Sequence, residues 1–357
     1  MFNLFIFFRM FDSAAVARVM TISATAFFAA FLVMPVWIRL LRQWKMGKTI
    51  RDAKSAPVMA KLHQGKAGIP AMGGFVIWMT VLGLLLLYRA ACFFDVPYVC
   101  TLSFLSRAQT RLPLGILVAA GLLGLWDDWL NAKRIGPNGG GLRMRFRLIS
   151  YATIALAGAY WFYSRLQWDF LHVPFIGTFH IGIWYMVLFV VVMVATSFSV
   201  NETDGLDGLA GGPLMASFGA MAVISWSQGR IDLAAFCMAI LGALAAFLWF
   251  NVPKASVFMG DTGAMSLGSV LAAVAMITNT ALLLPIIGLP FVVESLSVIA
   301  QTISKRVFKR KLFLSSPLHH HLEAIGWSES TIVMRTWIIS LMCAAVGMVI
   351  ALADPTR

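Results

Sequence analysis

Residues 189–225 read FVVVMVATSFSVNETDGLDGLAGGPLMASFGAMAVIS, an apolar run, a polar stretch dense in Asp and Gly, and a second apolar run. A helix of about 20 apolar residues crosses a hydrocarbon core. The runs flanking SVNETDGLDGLAGGP therefore predict two membrane helices, over 183–198 and 209–227, joined by an acidic turn. The same alternation continues in both directions. It predicts further spans over 16–38, 72–90, 110–126, 148–164, 232–250, 263–278, 281–303 and 332–352. The chain of 357 residues is 60% hydrophobic and 12% charged, with a mean hydropathy of +0.84, outside the range of soluble globular domains. The expected architecture is an all-α, polytopic membrane protein of about ten helices forming one domain, 1–357. The opening MFNLFIFFRM has neither a basic n-region nor a small-residue cleavage site and reads as an interfacial lead-in.

Charge orients the bundle. With the loops 39–71, 127–147, 199–208, 251–262 and 304–331 inside, 19 of the 28 Lys and Arg residues fall on the inner side, as the positive-inside rule requires. Both termini then lie outside. Topology thus accounts for the net charge of +13, and a nucleic-acid partner is not expected. The acids behave differently, because an Asp at mid-helix costs about 2.5–3.5 kcal/mol on insertion scales. Asp127, Asp128, Asp204, Asp207 and Asp261 nonetheless all fall at inner ends of spans. A single inner-face acidic site is implied.

Four motifs supply the chemistry. In GLWDDWLNAKR, the paired carboxylates Asp127 and Asp128 suit a base or a hard divalent cation, and Asn131 follows one helical turn after Asp127. A solvated helix end is the plain alternative. In SVNETDGLDGLAGGP, a helical turn would stack Asn201, Asp204 and Asp207 along one side, while Gly205 and Gly208 permit close backbone approach. FNVPKASVFMGDTGAMSLGS supplies Asn251, Phe258 as a base-stacking platform, and Asp261 as a metal ligand or an N-cap. The last inner loop carries Lys305, Arg306, Lys309, Arg310 and Lys311, then His319, His320 and His321. Consecutive histidines point about 100° apart on a helix and cannot share one zinc ion. Their imidazoles suit phosphate oxygens, and the basic run suits anionic lipid or substrate.

Other signals are set aside. MGKTI lacks the first glycine and the preceding strand of a P-loop, and the glycines between Gly136 and Leu142 lack a Rossmann context and read as a linker. Four cysteines show no metal spacing. Cys92 and Cys100 share one outer loop, either as a disulfide or as two thiols.

AMGG from Ala71, the pair at Asp127, NETDGLDGLAGGP from Asn201, FMGDTGAMSLG from Phe258 and PLHHHLEAIGW from Pro317 occur in this order. By these motifs the chain resembles, over nearly its full length, the polyprenyl-phosphate N-acetylhexosamine-1-phosphate transferases. The triple histidine, the following Gly-Trp and the tenth span point to the muramoyl-pentapeptide branch. The resemblance implies that undecaprenyl phosphate attacks the β-phosphate of UDP-N-acetylmuramoyl-pentapeptide, giving lipid I and UMP, with Mg2+ as cofactor. It implies a multi-pass protein of the bacterial inner membrane, in a family where homodimers occur. It casts Asp127 as the base toward the lipid phosphate, Asp128 as its partner and Asp261 as the magnesium ligand. Asn201, Asp204 and Asp207 would line the nucleotide site, Phe258 would stack on uracil, and Lys66 would help hold the nucleotide. His319 and His320 would meet substrate phosphates. Ile69, Ala71, Asn131, the Gly136–Gly141 loop and Thr262-Gly263-Ala264 depart from the family pattern. The alternatives are a sister enzyme using UDP-N-acetylglucosamine and, more remotely, a transporter or flippase, whose polar groups would lie at the midplane.

Overall fold

A computed structural model of the protein describes residues 12–47, 68–106, 109–137 and 140–356. Its helices are α1 (Ser13–Gln43), α2 (Gly74–Phe93), the short α3 (Pro97–Cys100), α4 (Arg111–Ala132), α5 (Met144–Arg165), α6 (Trp184–Thr203) and α7 (Gly211–Ser227). They continue as α8 (Ile231–Asn251), α9 (Asp261–Ile277), α10 (Leu284–Ile287), α11 (Leu289–Val307), α12 (Leu318–Ala324) and α13 (Glu329–Ala353). Six of these, α1, α2, α4, α6, α8 and α13, are long and apolar enough to cross a membrane. The protein is thus a mostly helical, polytopic membrane protein.

Helix α9 occupies the centre. Every residue from Thr262 to Ile277 is buried, which suits a helix apolar on all sides. It packs mainly against α4 and α6, and small residues let the backbones approach closely. A Cβ on Gly268 would come within 2.8 Å of the Ser197 Cα, and one on Gly74 would collide with Gly263. The Ser197 hydroxyl donates to the Met265 carbonyl at 2.9 Å, so the polar atom at this crossing is satisfied.

Two expectations change. The ninth span, 281–303, is not one helix but two, α10 and α11, interrupted at Gly288. Pro285 and Pro290 each begin a helix, because proline lacks the N–H that continuing a helix requires. The all-α expectation also gives way in the connection between α5 and α6. This connection forms an antiparallel hairpin of β1 (Phe170–Val173) and β2 (Gly177–His180), pairing Phe170 with His180 and Val173 with Gly177. Of the two readings of Cys92 and Cys100, the disulfide is present.

The antiparallel helices give the bundle two polar ends. At one, Arg18 of α1 pairs with Asp232 at 2.8 Å, Gln228 donates to the Thr278 carbonyl at 2.9 Å, and the hairpin meets the end of α13. At the other lie the C-terminal ends of α4, α6 and α8 and the N-terminal ends of α2, α5, α9 and α13. The acidic motifs meet there.

Candidate active site

Asp127 and Asp128 lie within the last turns of α4 and are both buried. Neighbours on a helix diverge by about 100°, so the two acids serve different structures. Asp128 turns to the start of α9, where its two oxygens accept the N–H groups of Asp261 and Thr262, each at 3.0 Å. These are the first free donors of that helix, and a carboxylate there is favoured both by hydrogen bonding and by the helix dipole. Asp128 thereby fixes Asp261. Asp127 accepts the Leu142 N–H at 2.5 Å on one oxygen, and its other oxygen pairs with Arg147. The glycine-rich segment expected to be a linker supports this contact. Gly141 has φ +85°, and a Cβ there would approach the Asp127 carboxylate to 3.0 Å.

Arg147, in the first turn of α5, joins the two acidic motifs. Its guanidinium contacts Asp127 and lies 2.7 Å from the Asp261 carboxylate. The second Asp261 oxygen accepts from the Asn201 amide at 2.6 Å. Asp127 and Asp261 therefore share a single cationic group, and Asn201, from a third helix, joins them through Asp261.

The expected stacking of Asn201, Asp204 and Asp207 does not occur, because α6 ends at Thr203 and Asp204 is already its C-cap. Asp204 accepts the Gly260 N–H at 3.3 Å and so joins Asn201 near the start of α9. Asp207 points elsewhere. It is buried, its carboxylate accepts the Ala255 N–H at 3.0 Å, and its own N–H donates to Glu329 at 2.7 Å. Asn251 works beside it, accepting the Gly208 N–H at 3.1 Å and donating to the Val257 carbonyl at 2.9 Å. Asp207 and Asn251 thus bind the acidic turn to the loop after α8. Phe258 is half-buried, and its backbone pairs with the AMGG segment through Pro70 and Gly73, at 2.8 Å each. Lys66 lies outside the described residues.

The histidines divide as well. His319 and His320 open α12 with ring centroids 4.2 Å apart, and each meets a carboxylate: Glu294 is 3.1 Å from Nδ1 of His319, and Glu323 is 2.8 Å from Nδ1 of His320. His319 packs against Gly205, next to Asp204. His321 turns away, accepts the Leu314 N–H at 3.3 Å and lies against Phe313. Gln301 of α11 holds that loop, accepting the N–H groups of Leu312 and Phe313 and donating to the Phe313 carbonyl, all at 2.9 Å.

With this geometry in place, the relatives are informative. A phospho-N-acetylmuramoyl-pentapeptide-transferase from Chloroflexus aurantiacus is 37% identical over 349 residues, 94% of this chain and 90% of its own length. A namesake from a Geobacillus strain is 40% identical, covering 91% of this chain and 95% of the relative. Another from Bacillus licheniformis is 38% identical with the same coverage. The chain belongs to this transferase family. The model of glycosyl transferase family 4 matches residues 111–279, from α4 through α9. That interval holds Asp127, Arg147, Asn201 and Asp261 and leaves His319, His320 and His321 outside it.

Three residues at this end of the bundle escape a reading of the motifs. Arg147 counts in sequence as one more inner basic residue, although it is the last of them before a span. Gln301 gives no sequence signal. Glu294 does give one, because it is the sole acid well inside any predicted span. Among the described residues no group of three or more His, Cys, Asp or Glu side chains is arranged to hold a metal. The donors that cluster about Arg147 are oxygens, the class that hard cations take, and a magnesium ion usually needs only one or two protein carboxylates beside water and substrate phosphates. The residues present fit such an ion.

Proposed function

We propose that this protein transfers phospho-N-acetylmuramoyl-pentapeptide from its UDP carrier to undecaprenyl phosphate, releasing UMP and forming lipid I. The joining of Asp127 and Asp261 by Arg147, with Asn201 bound to Asp261, at one end of an apolar bundle carries this reading, beside relatives that bear the transferase name over nine-tenths of the chain. A lipid acceptor explains why the acids sit at the end of membrane helices. Phosphoryl transfer needs positioning and charge neutralisation more than covalent participation by the protein. In this scheme Asp127 takes the proton of the lipid phosphate. The freed oxygen forms a bond to the β-phosphorus, and the bond to the α-phosphate oxygen breaks, its electron pair leaving with UMP. Arg147 orients both carboxylates, and Asp128 holds Asp261 through the backbone. Asp261, with Asn201 and Asp204 beside it, would hold Mg2+. Bound magnesium supplies neutralisation of the pyrophosphate and of the leaving UMP. The same reading has ten spans, outer termini and the site on the cytoplasmic face of the bacterial inner membrane, with homodimers as in the family.

The test is UMP release by purified protein in detergent with undecaprenyl phosphate, offering UDP-N-acetylmuramoyl-pentapeptide and UDP-N-acetylglucosamine in parallel, with and without magnesium. Turnover of the muramoyl substrate alone, lost on chelation, is expected. Turnover of the smaller sugar alone would move the protein to a sister activity, and magnesium-independent turnover would remove the metal.

A further inference from the structure

Glu294 lies within a predicted span, where an acid costs about 2.5–3.5 kcal/mol on insertion scales, so something must offset its presence. Its helix packs on the last turn of α6, where its neighbour Ser295 donates to the Glu202 carboxylate at 2.5 Å and lies 2.8 Å from the Ser199 hydroxyl. Its own carboxylate faces α12. One oxygen, Oε2, lies 3.3 Å from the backbone nitrogen and 3.1 Å from Nδ1 of His319. An ionised carboxylate only accepts hydrogen bonds, so Nδ1 carries a proton directed at Glu294, and a phosphate oxygen, itself an acceptor, is met by Nε2 as the second N–H of the imidazolium. His319 is 0% exposed, yet its Nε2 has no hydrogen-bond partner. That atom faces Gly205, and a Cβ at 205 would overlap the ring. A buried polar atom without a partner is uncommon and costs about 1–3 kcal/mol, which points to a partner supplied by the substrate.

A second buried histidine provides the contrast. His172 also pairs with a carboxylate, Asp354 at 2.6 Å, but its other nitrogen is satisfied by Thr178 at 3.0 Å. That pair is closed and needs no ligand. The pair of Glu294 and His319 leaves one ring nitrogen unmatched, on the side of Gly205.

We propose that Glu294 is a positioning residue of the transferase reaction: by anchoring Nδ1 and the backbone of His319, it fixes the ring so that Nε2 is the nitrogen presented to a substrate phosphate beside the acidic turn. The inference rests on the proposed transferase activity. Glu294 itself touches no substrate and acts through His319.

The experiment compares steady-state UMP release by wild type, Glu294→Ala, Glu294→Gln, His319→Ala and the double variant Glu294→Ala/His319→Ala, each checked for its unfolding midpoint in detergent. Loss of an outer partner of a functional histidine lowers activity about 10–100-fold. Glu294→Ala is expected to lose that much in kcat with little change in KM for the UDP-sugar. Glu294→Gln keeps an acceptor oxygen in nearly the same volume and is expected to recover part of the rate. In the His319→Ala background the Glu294 substitution is expected to cost nothing further, because the path through the ring is already cut. Losses that multiply in the double variant, or a wild-type rate in both Glu294 variants, would overturn the inference. Absence of turnover in the wild type with any UDP-sugar would instead overturn the transferase reading, so the two failures are distinct.

Discussion

The two ends of the helix bundle are built from the same residue types and use them differently. At the hairpin end, Arg18 meets Asp232, His172 meets both Asp354 and Thr178, and the Asn279 amide oxygen accepts the His172 backbone N–H at 3.1 Å. At the opposite end, two carboxylates share one guanidinium, one of them also held by Asn201, and His319 keeps a buried nitrogen without a partner. At the hairpin end the buried histidine finds a match for both ring nitrogens, although Arg18 Nε at the same end has none. At the other, the buried histidine leaves one ring nitrogen unmet. Burial and charge alone do not distinguish the two histidines, each buried beside a carboxylate, whereas the accounting of their ring nitrogens does.

The comparison breaks most sharply at Asp261. Replacing it with alanine is expected to reduce UMP release about 10³-fold, in the range seen when a group that stabilises the transition state is removed. The unfolding midpoint should barely move, because Asp128 caps α9 through the backbone N–H groups of residues 261 and 262, which the substitution leaves intact. A protein that unfolds rather than losing turnover would place Asp261 with the structural residues. At the hairpin end the pattern should reverse. Asp354→Asn is expected to leave turnover unchanged and to cost about 1–3 kcal/mol of stability, the usual effect of disrupting a buried hydrogen-bonded group. This end also has a pH signature. Desolvation raises the Asp354 carboxyl, but hydrogen bonds from Thr356 and His172 outweigh it and hold the group below its ordinary value. Its stabilisation is therefore complete above the unfolded value, about 3.9, and is lost as pH falls through the lower folded value. Unfolding midpoints of wild type and Asp354→Asn should converge as the medium is acidified below about pH 4. Convergence on raising the pH instead would contradict the assignment. The smallest effect is expected at Ser328, which lies at the catalytic end but only caps α13, accepting the Thr331 N–H at 3.3 Å. Ser328→Ala should cost about 1 kcal/mol with turnover within about twofold of wild type.

Much of this is legible in the chain. The apolar runs locate every long helix, because each span must satisfy its own backbone in lipid and so writes itself into contiguous sequence. Pro285, Gly288 and Pro290 also mark the break within the ninth run, although hydropathy alone passes over it. The acidic motifs identify the right end of the bundle. What sequence does not convey is the division of labour within each motif. That Asp128 reaches α9 while Asp127 does not depends on how α4 crosses α9, where the backbone at Gly124 approaches residue 261 so closely that a Cβ would come within 2.5 Å of it. The expected stack of Asn201, Asp204 and Asp207 assumes a helix continuing past Thr203. Gly205 and Gly208 are visible reasons to doubt it, since glycine ends helices more readily than it extends them. Glu294 is legible too, as a lone acid within a span, but a search for acids at span ends passes it by.

Asp128 and the N–H groups it caps are 133 residues apart in sequence. At ordinary synthesis rates of about 5–20 residues per second, the carboxylate emerges roughly 7–27 s before its partner exists. For that interval α4 sits in the membrane with Asp128 unmatched, although the partners of Asp127 follow within 20 residues, and the centre of the enzyme is completed only when α9 arrives. Assembly of the site is therefore a late event in the life of the nascent chain, and an arrest before residue 261 would leave an inserted bundle that holds every earlier motif but has no core helix.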